Sequence, residues 1–122
     1  MSAFNPSISI LLPVYNDSSY LVRAVTSMRR QTCQEWELLL LDDGSTDESP
    51  ELIHSLARED PRIRAVHLPH RGIAATLNAG IERATGRYIA RMDADDVSHA
   101  DRLALQEAFL EERPDICAAG CR

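Results

Sequence analysis

Trp36-Glu37-Leu38-Leu39-Leu40-Leu41-Asp42-Asp43-Gly44 is the stretch that decides the fold. Four consecutive leucines leave the run without a polar side. That pattern suggests a strand covered on both faces, as in a parallel sheet with helices above and below. The strand is expected over 36–41, and two carboxylates and a glycine follow it at once.

Outward from this strand, short apolar runs alternate with amphipathic stretches. Ile8-Ser9-Ile10-Leu11-Leu12 reads as a buried strand stopped by Pro13. Leu21, Ala24, Val25 and Met28 then share one helical face. Ser49-Pro50-Glu51 opens a second helix, with Pro50 at its first position, and Leu52, Ile53, Leu56 and Ala57 follow. Ile63 to His67 is a short strand. Ile73, Leu77 and Ile81 mark a helix ending near Gly86, and Tyr88 to Met92 is the fourth strand. Ser98-His99-Ala100-Asp101 has the look of a capping box for a helix carrying Leu103, Leu105, Phe109 and Leu110. Pro114 closes that helix, and Ile116 to Ala119 begins a fifth strand. The order βαβαβαβαβ predicts an α/β fold with a mostly parallel sheet and helices on both faces. Ligands of such sheets sit beyond the carboxyl ends of the strands.

Size and composition narrow the function. A chain of 122 residues with 44% hydrophobic content suffices for one domain, here residues 1–122, with its own core. A net charge of −6 argues against a nucleic-acid surface and gives no support for a polybasic membrane patch. Cys33, Cys117 and Cys121 are odd in number and form no CxxC pair, so reduced thiols in a cytosolic setting are expected. No apolar stretch approaches the ~20 residues of a membrane span, and Met1-Ser2-Ala3-Phe4 lacks the basic start of a signal peptide. All thirteen basic residues are arginine. A GxxxxGK[ST] phosphate loop, a Schiff-base enzyme and a receiver-type phosphorelay each need a lysine, so all three are excluded.

The chemistry concentrates where strands end. Tyr88-Ile89-Ala90-Arg91-Met92 runs into Asp93-Ala94-Asp95-Asp96, three carboxylates within four residues. Charges that close repel, and a divalent cation such as Mg²⁺ or Mn²⁺ relieves the repulsion while leaving positions for water and phosphate oxygens. A solvated loop capping the next helix is the plainer alternative. Asp42-Asp43-Gly44-Ser45-Thr46-Asp47 stands where nucleotide-binding folds place a ribose or base contact, or else forms a turn with a helix cap. Together the two clusters favour one nucleotide lying across both strand ends. Pro13-Val14-Tyr15-Asn16-Asp17 occupies the place of a GxGxxG loop without its glycines, and Tyr15 either flanks a base or packs. Arg71 is a candidate for phosphate, and Gly72 for close backbone approach. His54, His67 and His99 lack ligand spacing and any obvious partner, and read as structural or surface residues.

Taken in order, these segments resemble glycosyltransferase family 2, the inverting nucleotide-sugar transferases of GT-A fold. The matching pieces are Ser9 to Asn16, Gln31-Thr32, Trp36-Glu37-Leu38, Asp42 to Asp47, Arg71 to Ala75, Asn78 to Ile81, Ala84-Thr85-Gly86 and Arg91 to Asp96, with Arg102-Leu103 and Pro114-Asp115-Ile116. The resemblance implies a nucleotide-diphosphate sugar donor (UDP-, GDP- or TDP-linked) and a saccharide or lipid-linked acceptor. Pro13, Tyr15, Asp42 and Asp43 would lie near base and ribose. Asp93 would approach the ribose or donor sugar, Asp95 would be the principal metal ligand, and Asp96 would support it. Inversion needs a carboxylate base, which the family supplies from a segment expected beyond Arg122. The sequence therefore reads as the donor-binding half of a cytoplasmic enzyme, at the membrane's cytoplasmic face in its full length, that builds a cell-surface saccharide. Leu77 stands where some members carry an arginine before Asn78. Three other readings compete. One is a binding module that transfers nothing. Another is a haloacid-dehalogenase-type phosphohydrolase, which would place its Asp-x-Asp after the first strand. A dinucleotide oxidoreductase is the third. A fifth strand at the chain's end would also leave an edge open to pairing with a second copy.

Overall fold

Leu38 to Leu41 lie at the centre of a four-stranded parallel sheet whose strands stand in the order Ile63–Leu68, Trp36–Asp43, Ile8–Val14, Tyr88–Arg91. The computed structural model describes residues 5–116. Its elements are β1 (Ile8–Val14), α1 (Leu21–Arg29), β2 (Trp36–Asp43), α2 (Ser49–Glu59), β3 (Ile63–Leu68), α3 (Ile73–Arg83), β4 (Tyr88–Arg91) and α4 (Arg102–Glu112). The expected fifth strand, Cys117 and Cys121 lie outside the described residues.

The leucine run works as its pattern predicts. Side chains alternate between the faces of a strand. Leu38 and Leu40 join Ile10 and Leu12 under α1, α2 and α4, where they meet Leu21, Met28, Ile53 and Leu103. Leu39 and Leu41 join Leu11 and Val66 on the other face, beneath Leu77 of α3. All four leucines are fully buried, and each such burial contributes about 1.5–3 kcal/mol.

Several boundaries differ from expectation for physical reasons. β1 runs through Pro13 to Val14. The Leu11 carbonyl accepts from Met92 N–H at 3.0 Å, so backbone groups at positions 11 and 13 face β4. The β1–β4 pairing ends at Arg91, and the donor that Pro13 lacks would find no strand there. β2 continues to Asp43 because Asp42 and Asp43 pair with His67 and Leu68 of β3. Pro50 is the second residue of α2, after Ser49.

The helix over 73–83 does not bury the face that its isoleucines mark. Ile73 and Ile81 are about half exposed, and the buried residues of α3 are Thr76 and Gly80. A Cβ at Gly80 would stand 2.7 Å from Leu41 Cδ1 and 3.1 Å from Leu11 Cδ2. The helix lies close to the sheet because small residues face it. The capping box before α4 also does not form, and no side chain caps the helix at Asp101. Ser98 is engaged elsewhere: its N–H donates to Ser27 Oγ at 3.0 Å, and its hydroxyl accepts from Arg102 Nη1 at 3.1 Å.

Candidate functional site

The carboxyl ends of β1, β2 and β4 open on a cleft of about 480 Å³. Pro13, Tyr15, Asp43, Gly72, Thr76, Asp93 and Asp95 are among its lining residues. The loops after β1, β2 and β4 build it together with the β3–α3 connection, and tertiary hydrogen bonds tie the first two loops to each other and to that connection.

Asn16 joins the first loop to the second. Its φ of +53° is a left-handed conformation that asparagine tolerates. In that pose Oδ1 accepts the N–H of Thr46 at 2.8 Å and of Asp47 at 3.2 Å. Asn16 N–H donates to Ser45 Oγ, Asp17 N–H to Ser49 Oγ and Ser18 N–H to Asp47 Oδ2. Asp47 also accepts the Ser49 N–H at 2.8 Å at the start of α2. These bonds, the Ser49 side chain foremost, lower its carboxyl to about 2. The segment 44–47 is thus both turn and cap, as the plainer sequence reading held, and it also holds the cleft wall in place.

Asp43 sits in the floor of the cleft, only 6% exposed. Its carboxylate accepts Arg71 N–H at 2.9 Å and Gly72 N–H at 3.1 Å, and faces His70 Nδ1 at 3.0 Å. Burial pushes its pKa upward. The N–H groups of Arg71 and Gly72, the Thr76 side chain and His70 outweigh that and hold it below the ordinary value. The Tyr15 and His70 rings stack with centroids 4.3 Å apart, close to Asp43. Sequence reasoning grouped His70 with Arg71 and Gly72 but gave it no role. Its contact with Gly44, where an added Cβ would lie 2.8 Å from His70 N, arises only once the loops after β2 and β3 meet.

Two of the expected nucleotide contacts, Asp42 and Arg71, stand apart from the cleft lining. Asp42 is 3% exposed, and its oxygens face Ser45 N–H at 2.9 Å and His67 Nδ1 at 3.1 Å. Arg71 lines a small neighbouring hollow with Pro69 and Ala75. Its backbone, rather than its guanidinium, bonds Asp43. His67 and His54 do have partners, contrary to the expectation: each other, and Asp42. Those partners come from the β2–β3 register, which no local pattern reveals.

The third loop carries the acid cluster. Met92 and Ala94 turn inward and are buried, so Asp93, Asp95 and Asp96 turn out to solvent. One ligand oxygen from each lies within 4.8 Å of the others. Asp93 and Asp95 face the cleft, whereas Asp96 with Asp93 borders a second cleft of about 470 Å³ beside Arg91 and Arg102. Three exposed carboxylates are hard oxygen donors, the set that Mg²⁺ and Mn²⁺ prefer. The residues present therefore fit such an ion.

A buried carboxylate that the sequence reading passed over lies at the other end of the sheet. Glu37, 4% exposed, accepts from Ser9 Oγ at 2.6 Å, Thr85 N at 2.7 Å, Thr85 Oγ1 at 2.9 Å and Arg64 Nη1 at 3.0 Å. Burial raises its pKa, and these donors more than reverse that, leaving it lowered. One charged residue inside a leucine strand was the signal to look for such partners.

The fold matches solved glycosyltransferase structures of GT-A type. S. aureus TarS, residues 1–349 in complex with UDP, superposes with a TM-score of 0.79 at 24% identity, over 88% of this chain and 32% of that one. The mannosyltransferase PcManGT from Pyrobaculum calidifontis, in complex with GDP-Man and Mn²⁺, gives 0.79 at 26% identity, over 86% and 32%. This chain belongs to glycosyl transferase family 2, whose family model matches residues 9–122. An uncharacterized glycosyltransferase of Rickettsia felis is 42% identical over 105 residues, 86% of this chain and 17% of its own length. The chondroitin synthase of Pasteurella multocida is 39% identical over 114 residues, 92% and 12%. The chain thus spans a minor part of these curated relatives.

Proposed function

We propose that this chain is the donor-binding part of an inverting glycosyltransferase that takes a nucleoside-diphosphate sugar, UDP-, GDP- or TDP-linked. The observation that carries the reading is the single cleft that brings Asp43 to its floor and Asp93 and Asp95 to its lip. Asp43 would accept a ribose hydroxyl, with Pro13 and the Tyr15–His70 pair beside the base. Asp42 would act from behind, by holding the loop at Ser45. Arg71 and Gly72 would orient Asp43 through their N–H groups.

Asp95, with Asp93 and Asp96, would hold Mg²⁺ or Mn²⁺. Such an ion, when bound, supplies positive charge that stabilises the departing diphosphate. The complex of PcManGT with GDP-Man and Mn²⁺ supports this assignment, and that of TarS with UDP supports the nucleotide. The acceptor would be a saccharide or lipid-linked hydroxyl, and the Pasteurella chondroitin synthase supports a polysaccharide product. We assign no general base among these residues. A cytoplasmic place, at the membrane face in the whole protein, is part of the proposal. Among the described residues no helix is long and apolar enough to cross a membrane.

Titration calorimetry with UDP, GDP and TDP, each with and without Mn²⁺, tests the reading. One nucleotide should bind, and should bind tightly only with the ion. A folded sample that binds none of them would overturn it. Binding of the matching donor without transfer or hydrolysis would assign this chain to donor recognition alone.

A further inference from the structure

We propose that His54 and His67, backed by Asp42, form a second metal site that takes a divalent transition ion of the zinc class. It lies between α2 and β3, away from the cleft lining, and does not depend on the nucleotide reading.

Three observations carry it. First, the two Nε2 atoms are 3.0 Å apart. Two nitrogens bound to one zinc at about 2.0–2.1 Å and a tetrahedral angle stand ~3.3 Å apart, so a few tenths of an ångström of opening admits the ion. Second, the rings lie partly side by side, with centroids 4.6 Å apart and planes 35° off parallel. They are not aligned end to end. Third, Asp42 Oδ2 faces His67 Nδ1 at 3.1 Å. A carboxylate there keeps the proton on Nδ1 and leaves the Nε2 lone pair free. This carboxylate–histidine arrangement orients metal-binding imidazoles and raises their basicity. Asp42 is itself buried and anchored by Ser45 N–H at 2.9 Å, so its aim is fixed. His54 would bind with its own proton on Nδ1, and both imidazoles are exposed, which leaves the remaining positions to water.

Donor chemistry separates this site from the acidic loop. Imidazole nitrogen suits zinc, whereas the carboxylates of Asp93, Asp95 and Asp96 suit Mg²⁺ and Mn²⁺. The test is calorimetric titration of the protein with Zn²⁺ in excess Mg²⁺, using wild type, His54→Gln, His67→Gln, Asp42→Asn and Asp95→Asn, with circular dichroism to check each fold. Wild type and Asp95→Asn should bind one Zn²⁺ with equal, micromolar affinity, and the His54 and His67 imidazole proton resonances should shift together. Each histidine variant should lose at least tenfold in affinity, and Asp42→Asn about 10- to 100-fold. His54→Gln, which touches no cleft residue, should keep nucleotide binding unchanged. Absence of Zn²⁺ binding, binding that survives His54→Gln, or binding that disappears in Asp95→Asn would each overturn the proposal.

Discussion

Asp95 and Asp43 face one cleft but answer to different forces. Asp95 is exposed and repelled by Asp93 and Asp96. Asp95→Ala should abolish ion-dependent nucleotide binding in calorimetry and leave the melting temperature unchanged or slightly higher, since one repelling charge is gone. Normal donor binding by the variant would remove Asp95 from the ion site. Asp43 is buried and bonded by backbone. Asp43→Asn should weaken nucleotide binding roughly tenfold to hundredfold, the range for one charge-assisted hydrogen bond, and should do so even without Mn²⁺. Unchanged affinity would reduce 42–47 to a turn. These residues were legible because carboxylates follow apolar strands in the sequence. His70, His67 and Glu37 were not recognised as partners, because what defines them is a neighbour some 25 to 48 residues away.

Strands and helices were legible where the apolar pattern alone sets them, as in Leu38–Leu41 or the Leu21–Met28 face. They were less so where a neighbour takes over a local signal. Ser98 could cap α4 but bonds Ser27 and Arg102 instead. Ile81 marks a helical face that Gly80 replaces as the contact surface. Two glycines allow a graded test of packing. At Gly86 an added Cβ would lie 2.8 Å from Ile8 C and Ser9 N, which are backbone, and at Gly80 it would press leucine side-chain ends. Gly80→Ala should cost about 1–3 kcal/mol, the range for overpacking, and Gly86→Ala more, read from urea midpoints. An equal or smaller loss at Gly86 would contradict the backbone contact.

Glu37 joins β1, β2, β3 and the α3–β4 connection, so its ionisation matters at this scale. Its folded-state pKa lies below the ordinary 4.5, and those of Asp43 and Asp60 below 3.8. Groups lowered on folding contribute stability that is complete above their unfolded values and fades as pH falls through the folded ones. Stability should hold from neutral pH to about 4.5 and decline below it. Glu37→Gln should be less stable than wild type at pH 7, and the gap should narrow below pH 4.5. A constant gap across that range would show that its charge does not matter.

Among the described residues, the sheet has a firm side and a loose one. β1 and β2 are buried along most of their length, whereas the described sheet ends on β4, where Ile89 is about half exposed. Association of two copies through that side of the sheet should appear as a concentration-dependent mass in light scattering; a strict monomer would dismiss it. The strongly buried strands explain why the leucine run read as a strand covered on both faces. The loose side was not readable, because exposure of Leu105 and Phe109 on α4 depends on what that helix rests against.

What α4 rests on is narrow. It buries only Leu103; Gln31 anchors its start by accepting the Leu103 N–H at 3.0 Å and donating to His99 O at 2.7 Å, and other ties, Arg102 to Arg91 O and Tyr88 to Glu111, are exposed hydrogen bonds. Local opening free energy follows buried apolar contact, so this segment should open long before the sheet melts. Amides of residues 102–112 should exchange with deuterium through such an opening while those of β1 and β2 stay protected. Only residues 97–101 separate the acidic loop from that segment, so the proposed cation site would adjoin a weak point of the fold. Ion binding would then register as slower exchange in α4, a readout of occupancy that needs no substrate at all.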